Sequence, residues 1–149
     1  MSLKQDFIQL PLPKNIHFIT FVTWERLELT PPARQVVLDS TLHFHNQRYQ
    51  LFAAVIMPDH VHLLLQPFPK SDSQNWSIGS RLHSIKGFCS TEIPKVMKQS
   101  GKVWQDGRHA EIINSHQHFI NTWEYIKQNP VKANLSDTPQ KYPFFWENS

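Results

Sequence analysis

The chain is poor in several residue classes, and each shortage narrows what the protein can be. A single cysteine, Cys89, cannot form an internal disulfide, so we expect a reducing, cytoplasmic setting. Charged residues make up only 18% of the sequence, too few for a disordered, highly charged tail. The longest strictly apolar run, residues 51–57, is far too short to cross a bilayer. The N-terminal residues also lack the apolar centre of a signal peptide, so we expect no membrane partner.

Apolar and aromatic residues, in contrast, are present in quantity. The 149 residues are 40% hydrophobic and 12% aromatic, which is enough to fill one core, and the length favours a single domain over residues 1–149. Fifteen basic and twelve acidic residues give a net charge of +3. That charge is compatible with a nucleic-acid partner without requiring one. Nine histidines are many for this length and need an explanation.

The hydrophobic pattern predicts strands and helices in the order β-α-β-β-α-β, followed by a further helix. Strands or short extended pieces are predicted at residues 16–24, 49–57, 60–66, 103–105 and 111–113, and helices at 30–47, 76–92 and 116–128. The order predicts an α+β fold with a ferredoxin-like (RRM-like) four-stranded antiparallel sheet and helices on one face. The aromatic residues between 139 and 146 are expected to pack back on this domain.

Three His-x-His pairs occur in the sequence, and secondary structure separates them: His43/His45, His60/His62 and His116/His118. Residues two apart on a helix lie about 200° apart and cannot share a ligand. The first and third pairs fall on predicted helices. Along a strand, residues i and i+2 share one face, so the second pair can chelate a metal if a third ligand arrives. Two ordinary strand histidines remain the alternative, because the spacing alone is a weak motif.

The last predicted helix carries a tyrosine in an unusual position. Its apolar stripe consists of Phe119, Ile120, Trp123 and Ile126. Tyr125 projects about 150° from the centre of that stripe, toward solvent or a cleft. Asn129 follows one turn later on nearly the same side. An exposed tyrosine and a helix-ending asparagine are the plain alternative. Together with a metal at His60 and His62, however, Tyr125 suggests attack of a phenol on a phosphodiester.

Five segments in a fixed order carry a family resemblance. They are residues 20–24 (Thr-Phe-Val-Thr-Trp), 57–64 (Met-Pro-Asp-His-Val-His-Leu-Leu), 84–88 (Ser-Ile-Lys-Gly-Phe), 103–105 with 111–113 (Val-Trp-Gln and Glu-Ile-Ile), and 125–133 (Tyr-Ile-Lys-Gln-Asn-Pro-Val-Lys-Ala). In these segments the sequence resembles the single-tyrosine HUH transposases of the insertion-sequence-200 type, and especially the REP-associated tyrosine transposases. The His-Val-His element alone is weak, whereas its combination with the last segment is specific.

The resemblance implies a metal-dependent nuclease and strand transferase that acts on single-stranded DNA with hairpins. It implies that His60, His62 and Asn129 bind Mg²⁺ or Mn²⁺; Gln128 is one position off the tyrosine's face. Tyr125 would attack the DNA, form a 5′-phosphotyrosine link and release a 3′-hydroxyl. Family members include monomers and dimers that exchange the tyrosine helix, so a homodimer is possible. Basic residues are expected to contact DNA phosphates: Arg81, Lys86, Lys102, Arg108, Lys127 and Lys132.

Two other functions stay open at this point. An RRM-like sheet can bind single-stranded nucleic acid by base stacking without cutting it. A zinc hydrolase built on His60 and His62 would need a carboxylate, and the sequence lacks the usual helix-borne His-Glu pair of such enzymes.

Overall fold

The computed structural model describes residues 11–71, 74–75 and 78–149, except for the side chains of residues 69–81. The strands are β1 (His17–Val22), β2 (Tyr49–Ile56), β3 (His60–Pro67), β4 (Pro69–Ser71), β5 (Gln74–Asn75), β6 (His109–Ile112) and β7 (Phe145–Glu147). The helices are α1 (Pro31–His43), α2 (Ile78–Met97) and α3 (His116–Lys132), with 3₁₀ turns at Trp24–Arg26 and Pro139–Lys141.

The main sheet is antiparallel and has five strands in the order β6-β1-β3-β2-β7. The predicted α+β, ferredoxin-like arrangement is confirmed, with one strand more than expected. That strand, β7, comes from the C-terminal aromatic segment, which pairs with β2. Residues 103–105 were predicted as an extended piece, but only Trp104 forms an isolated bridge, to Thr23. β4 and β5 form a separate two-stranded hairpin.

The two faces of the sheet carry different helices. Phe21 is buried on the face of α2, where Lys86 lies over its ring. Phe18, three residues earlier and therefore on the other face, contacts Tyr125 of α3. The tyrosine-bearing helix therefore lies across the sheet from α2, and α1 packs with α2. The central strands β2 and β3 are covered on both faces, which explains their nearly continuous apolar sequences.

The helix starts follow the predicted capping residues. The Thr30 hydroxyl accepts from the Ala33 backbone N–H at 3.4 Å, and Ser115 accepts from the His118 N–H at 3.0 Å. These bonds satisfy N–H groups that have no partner within the helix.

The predicted helix ends were wrong in three places. α1 ends at His43 instead of near residue 47; Phe44 is its C-cap, and the turn that follows places Asn46 in a left-handed backbone with φ of 67°. α2 continues through Pro94 to Met97, and α3 continues through Pro130 to Lys132. A proline near the end of a helix removes one hydrogen bond, and the Ala133 N–H still bonds to the Asn129 carbonyl. The predicted start of α2 at residue 76 lies outside the described residues.

The early end of α1 also corrects the reasoning about His43 and His45. His45 lies beyond the helix, so helical geometry does not separate this pair. Its Nδ1 instead accepts from the Leu51 backbone N–H at 3.0 Å, and its ring packs against Trp146. In the parts of the chain that the structure describes, none of the helices has the length and apolar character needed to span a membrane.

Candidate active site

Two histidines lie side by side on β3, immediately after the Pro58–Asp59 turn. The ring centroids of His60 and His62 are 4.8 Å apart. Both project to the face of α3, because the intervening Val61 is fully buried on the other side. The strand prediction therefore placed this pair correctly on one sheet face.

His62 is the more buried of the two and is held by the neighbouring strand. Thr20 lies directly opposite it on β1, and the Thr20 Oγ1 is 2.8 Å from His62 Nδ1. Burial, together with the neighbouring His60, lowers the pKa of His62 to about 3. The ring is therefore neutral at physiological pH, which is the state in which imidazole binds a metal.

His60 has an anionic partner instead. Its Nδ1 lies 2.7 Å from Oδ1 of Asp59, whose Oδ2 accepts from the Arg26 guanidinium. Burial raises the pKa of the Asp59 carboxyl, but the hydrogen bonds and charges of His60 and Arg26 outweigh this effect and hold that pKa below its usual value. Asp59 is therefore an ionised acceptor, and His60 Nδ1 is the donor.

Tyr125 reaches this histidine pair from α3. Its ring centroid is 5.4 Å from that of His62 and 5.9 Å from that of Phe18, both at edge-on angles. The side chain is nevertheless 45% exposed. The helical projection from the sequence pointed the tyrosine away from the buried stripe of α3, and the structure places it on the open side of the helix, beside the sheet.

Asn129 lies one turn after Tyr125 and is partly buried. Because α3 runs unbroken through residue 129, the two side chains project from nearly the same side of the helix. Gln128, the residue before Asn129, is also partly buried, but its side chain projects about 100° away around the helix. Among the described residues, no three His, Cys, Asp or Glu side chains are arranged so that they could hold a metal ion together. A metal at His60 and His62 would therefore need an amide or water for its remaining ligands.

Two of the predicted DNA-contacting lysines, Lys86 and Lys127, are partly buried and have partners within the chain. Lys86 Nζ donates to the Gln105 and Gly107 carbonyls at 3.3 and 3.2 Å, and burial lowers its pKa. Lys127 Nζ lies 3.2 Å from Oε2 of Glu147. These contacts give both lysines a structural role, whatever they do with DNA.

The other predicted contacts differ in exposure. Lys102 pairs with the exposed Asp106 at 3.1 Å, and its ammonium lies 4.3 Å from the ring centroid of the exposed Trp24. Arg108 and Lys132 are exposed. The side chain of Arg81 lies outside the described residues. Arg108 also lines an open cavity of about 380 Å³ that borders Thr20, whose hydroxyl contacts His62.

The sequence profile of the family described as "Transposase IS200 like" matches residues 15–129, which include both histidines, Tyr125 and Asn129. The chain belongs to this family. Among curated proteins, it is 29% identical over 105 residues to a Haemophilus influenzae protein named as a REP-associated tyrosine transposase. That match covers 64% of this chain and 57% of the relative, so the chain spans little more than half the relative's length.

Solved structures show that this chain shares its fold with two other proteins. The first is described as a REP-associated tyrosine transposase bound to a REP hairpin; it has a TM-score of 0.69 and 20% identity, with 89% of this chain and 77% of that chain covered. The second, a transposase from Deinococcus radiodurans R1, has a TM-score of 0.55 and 17% identity, with 83% and 92% covered.

The sequence reasoning missed four residues of this candidate site. Phe18 and Thr20 contact the histidine and tyrosine rings from β1, and Arg26 and Asp59 bind each other beside His60. Residues two apart on β1 share one face of the sheet, and Thr20 pairs with His62 of β3. Phe18 and Thr20 could therefore have been found from the sequence once this strand register was known. Asp59 directly precedes His60, but its role depends on the turn geometry, which the sequence pattern does not specify.

Proposed function

We propose that the protein is a single-stranded DNA endonuclease and strand transferase with Tyr125 as its nucleophile. The observation that carries this proposal is the position of Tyr125: half-exposed on α3, with its ring 5.4 Å from that of His62, whose neighbour is His60. A tyrosine that served only packing would be buried in the stripe formed by Phe119 and Trp123.

In the reaction, the Tyr125 Oη attacks a backbone phosphorus. An O–P bond forms to the tyrosine while the bond between phosphorus and the 3′-oxygen breaks. The phenol proton passes to water, and the leaving 3′-oxygen takes up a proton from water to become a 3′-hydroxyl. Attack of a 3′-hydroxyl on the resulting 5′-phosphotyrosine reverses these steps and joins strands. A phenol has a pKa of about 10, so at neutral pH it needs a strongly polarised phosphate or a base.

The residues present fit a divalent ion, Mg²⁺ or Mn²⁺, held by His60, His62 and Asn129. Because the Asp59 carboxylate only accepts hydrogen bonds, His60 carries its proton on Nδ1 and keeps a lone pair on Nε2. His62 is neutral, and its Nδ1 is occupied by Thr20. The amide oxygen of Asn129 would add a hard ligand. A bound divalent ion would polarise a non-bridging phosphate oxygen and stabilise the negative charge of the transition state.

The surrounding residues would bind and orient the DNA. Phe18 packs edge-on against Tyr125 and limits the positions of the phenol ring. Lys102, Arg108 and Lys132 are exposed and would attract the phosphate backbone. We propose a DNA hairpin with a flanking single strand as the substrate, which is supported by the fold shared with the relative bound to a REP hairpin.

The histidines and the tyrosine that meet here belong to one chain. A homodimer is therefore not needed to bring Tyr125 beside His62, although the proposal is compatible with one. Size-exclusion chromatography with light scattering, with and without hairpin DNA, measures the oligomeric state directly.

Tyr125→Phe tests the proposed nucleophile. The wild-type protein, incubated with Mg²⁺ or Mn²⁺ and single-stranded DNA from the flanks of its own gene, should give a covalent adduct that survives SDS. The Phe variant should lose the adduct and keep hairpin binding, because only the hydroxyl is removed. Tyr142→Phe is the matched control: it also removes a phenol oxygen, but one that is buried and bonded to the Ile56 carbonyl.

An adduct in the Tyr125→Phe variant would show that the nucleophile lies elsewhere. Hairpin binding by the wild type without any metal-dependent cleavage would favour the alternative of an RRM-like binding module.

A further inference from the structure

The two histidines of the site are held in chemically different ways. His62 has a neutral partner, the Thr20 hydroxyl, on the adjacent strand. His60 has a charged one, the Asp59 carboxylate, at 2.7 Å. A carboxylate next to an imidazole fixes which nitrogen carries the proton and makes the other nitrogen a stronger metal ligand. The Asp59 carboxylate can therefore fix the proton of His60 on one nitrogen and strengthen the other as a metal ligand. The neutral Thr20 hydroxyl cannot do this for His62.

The Asp59 carboxylate is itself oriented by Arg26, and its two oxygens are divided between two partners. Oδ1 lies against His60 Nδ1, while Oδ2 accepts from Nε and Nη2 of Arg26 at 3.0 and 2.9 Å. With Oδ2 occupied, rotation of the carboxylate away from His60 would break contacts with Arg26. The Arg26 side chain is 60% exposed, so its charge is largely screened by solvent. Arg26 therefore acts by holding the orientation of the Asp59 carboxylate, and its charge adds little.

A strained turn presents Arg26 to Asp59. Glu25 and Arg26 both have positive φ angles, 50° and 57°, which are unfavourable for residues other than glycine. Such strain persists only where the surrounding contacts impose it. Here the Thr23 backbone N–H donates to the Asp59 carbonyl at 3.0 Å, and the Leu29 N–H donates to the Pro58 carbonyl.

The Thr23 hydroxyl adds a further bond, donated to the Leu27 carbonyl at 2.7 Å. The strained segment is therefore fastened to the hairpin turn that precedes His60. The backbone hydrogen bonds hold the turn at Trp24–Arg26 in a fixed position relative to the Pro58–Asp59 turn. In this position the Arg26 side chain reaches the Asp59 carboxylate.

We propose that Asp59 and Arg26 are positioning residues that fix the proton of His60 on Nδ1 and direct its Nε2 toward the metal. This inference rests on the proposed function for the identity of the metal, but not for the hydrogen-bonded arrangement itself. Neither residue touches the substrate in the proposed reaction. Both act only through His60.

Nuclear magnetic resonance of the ¹⁵N-labelled imidazoles tests the arrangement in the absence of any metal. In the wild type at pH 8, the ¹⁵N chemical shifts of His60 should be those of a protonated Nδ1 and an unprotonated Nε2. In Asp59→Ala, the two nitrogen shifts should move toward each other, as the two neutral tautomers exchange. Asp137→Ala is the matched control, because it deletes a carboxylate that is 91% exposed and pairs with Lys141 instead of a histidine. It should leave the His60 shifts unchanged.

Binding of Mn²⁺, followed by isothermal titration or by the paramagnetic resonance of free Mn²⁺, is the second readout. Loss of a partner that orients a metal ligand commonly weakens metal binding about 10–100-fold, and we expect a rise of that size in the Kd of Asp59→Ala. Arg26→Gln should raise the Kd by less, because the bond between Asp59 and His60 remains. Asp137→Ala should bind as the wild type does.

The two readouts separate this inference from the proposed function. If the wild type binds neither Mn²⁺ nor Mg²⁺, the metal in the proposed function is wrong, while the tautomer of His60 still tests the positioning. If His60 keeps its proton on Nδ1 equally well in Asp59→Ala, the inference is overturned even with a functional metal site. Should Asp59→Ala fail to fold, Arg26→Gln decides: unchanged His60 shifts and an unchanged Kd refute a role for Arg26.

Discussion

Glu147 of β7 connects the tyrosine-bearing helix α3 to the sheet, and its substitution by alanine should lower the free energy of unfolding. Its Oε1 accepts from the Trp123 indole N–H at 2.9 Å, and its Oε2 pairs with Lys127 at 3.2 Å. Both partners belong to α3 and flank Tyr125 in sequence. Trp123 is fully buried, so in Glu147→Ala its indole N–H would lose this acceptor at a position that water reaches poorly.

The cost follows from these two contacts. A buried donor that loses its acceptor costs about 1–3 kcal/mol. The pair with Lys127 is partly exposed, and such pairs contribute about 0.5 kcal/mol. We therefore expect Glu147→Ala to lower the free energy of unfolding by about 1.5–3.5 kcal/mol. For a protein of this size that corresponds to a fall in Tm of about 3–14 °C.

Urea unfolding, followed by far-ultraviolet circular dichroism and tryptophan fluorescence, measures this change. Glu92→Ala is the control: it also deletes a glutamate, but one whose partner Lys95 is 3.4 Å away and exposed. It should change stability by less than about 0.5 kcal/mol. A double-mutant cycle of Glu147→Ala with Lys127→Met separates the ion pair from the indole bond. If Glu147→Ala is no more destabilising than Glu92→Ala, the reasoning about Trp123 is refuted.

Two further predictions concern Cys89 and Glu25. Burial raises the pKa of the Cys89 thiol to about 12, so at pH 8 almost no thiolate is present. We expect iodoacetamide to leave the native protein unlabelled and to label it in guanidinium chloride; rapid labelling of the native protein would contradict the burial. Glu25→Gly should raise the free energy of unfolding by about 0.5–1 kcal/mol, since relief of a positive φ of 50° outweighs the added chain entropy of glycine. A lower urea midpoint would show that the turn is not strained.

The parts of the site that repeat with a regular period were predictable from sequence. Residues alternate along a strand, so His60 and His62 had to share a face. Residues four apart share one side of a helix, so Tyr125 and Asn129 had to project together. In both cases the local geometry is fixed by the element, whatever the rest of the chain does.

Features that depend on distant residues were not predictable in the same way. β7 forms because it pairs with β2, about ninety positions earlier in the chain, and no local pattern encodes such pairing. Pro130 was read as a stop signal, yet it lies within α3 as one of the buried residues of that helix, and its packing offsets the lost hydrogen bond. The contacts of Thr20 and Arg26 likewise depend on strand register and on the conformation of a turn.

The tyrosine helix is tethered at both ends to the outermost strands of one sheet. Only three residues separate β6 from α3, so the Cα atoms of Ile112 and His116 can lie at most about 14 Å apart. The Ile113 N–H is moreover bonded to the Ile16 carbonyl. At the opposite edge, β7 is hydrogen-bonded to β2.

A large displacement of the Tyr125 side chain would therefore require β6 or β7 to separate from the sheet first. The entropy of bringing the phenol to the histidine pair is thus lost during folding, before any DNA arrives. Exchange of this helix with a second molecule would have to carry a border strand along with it.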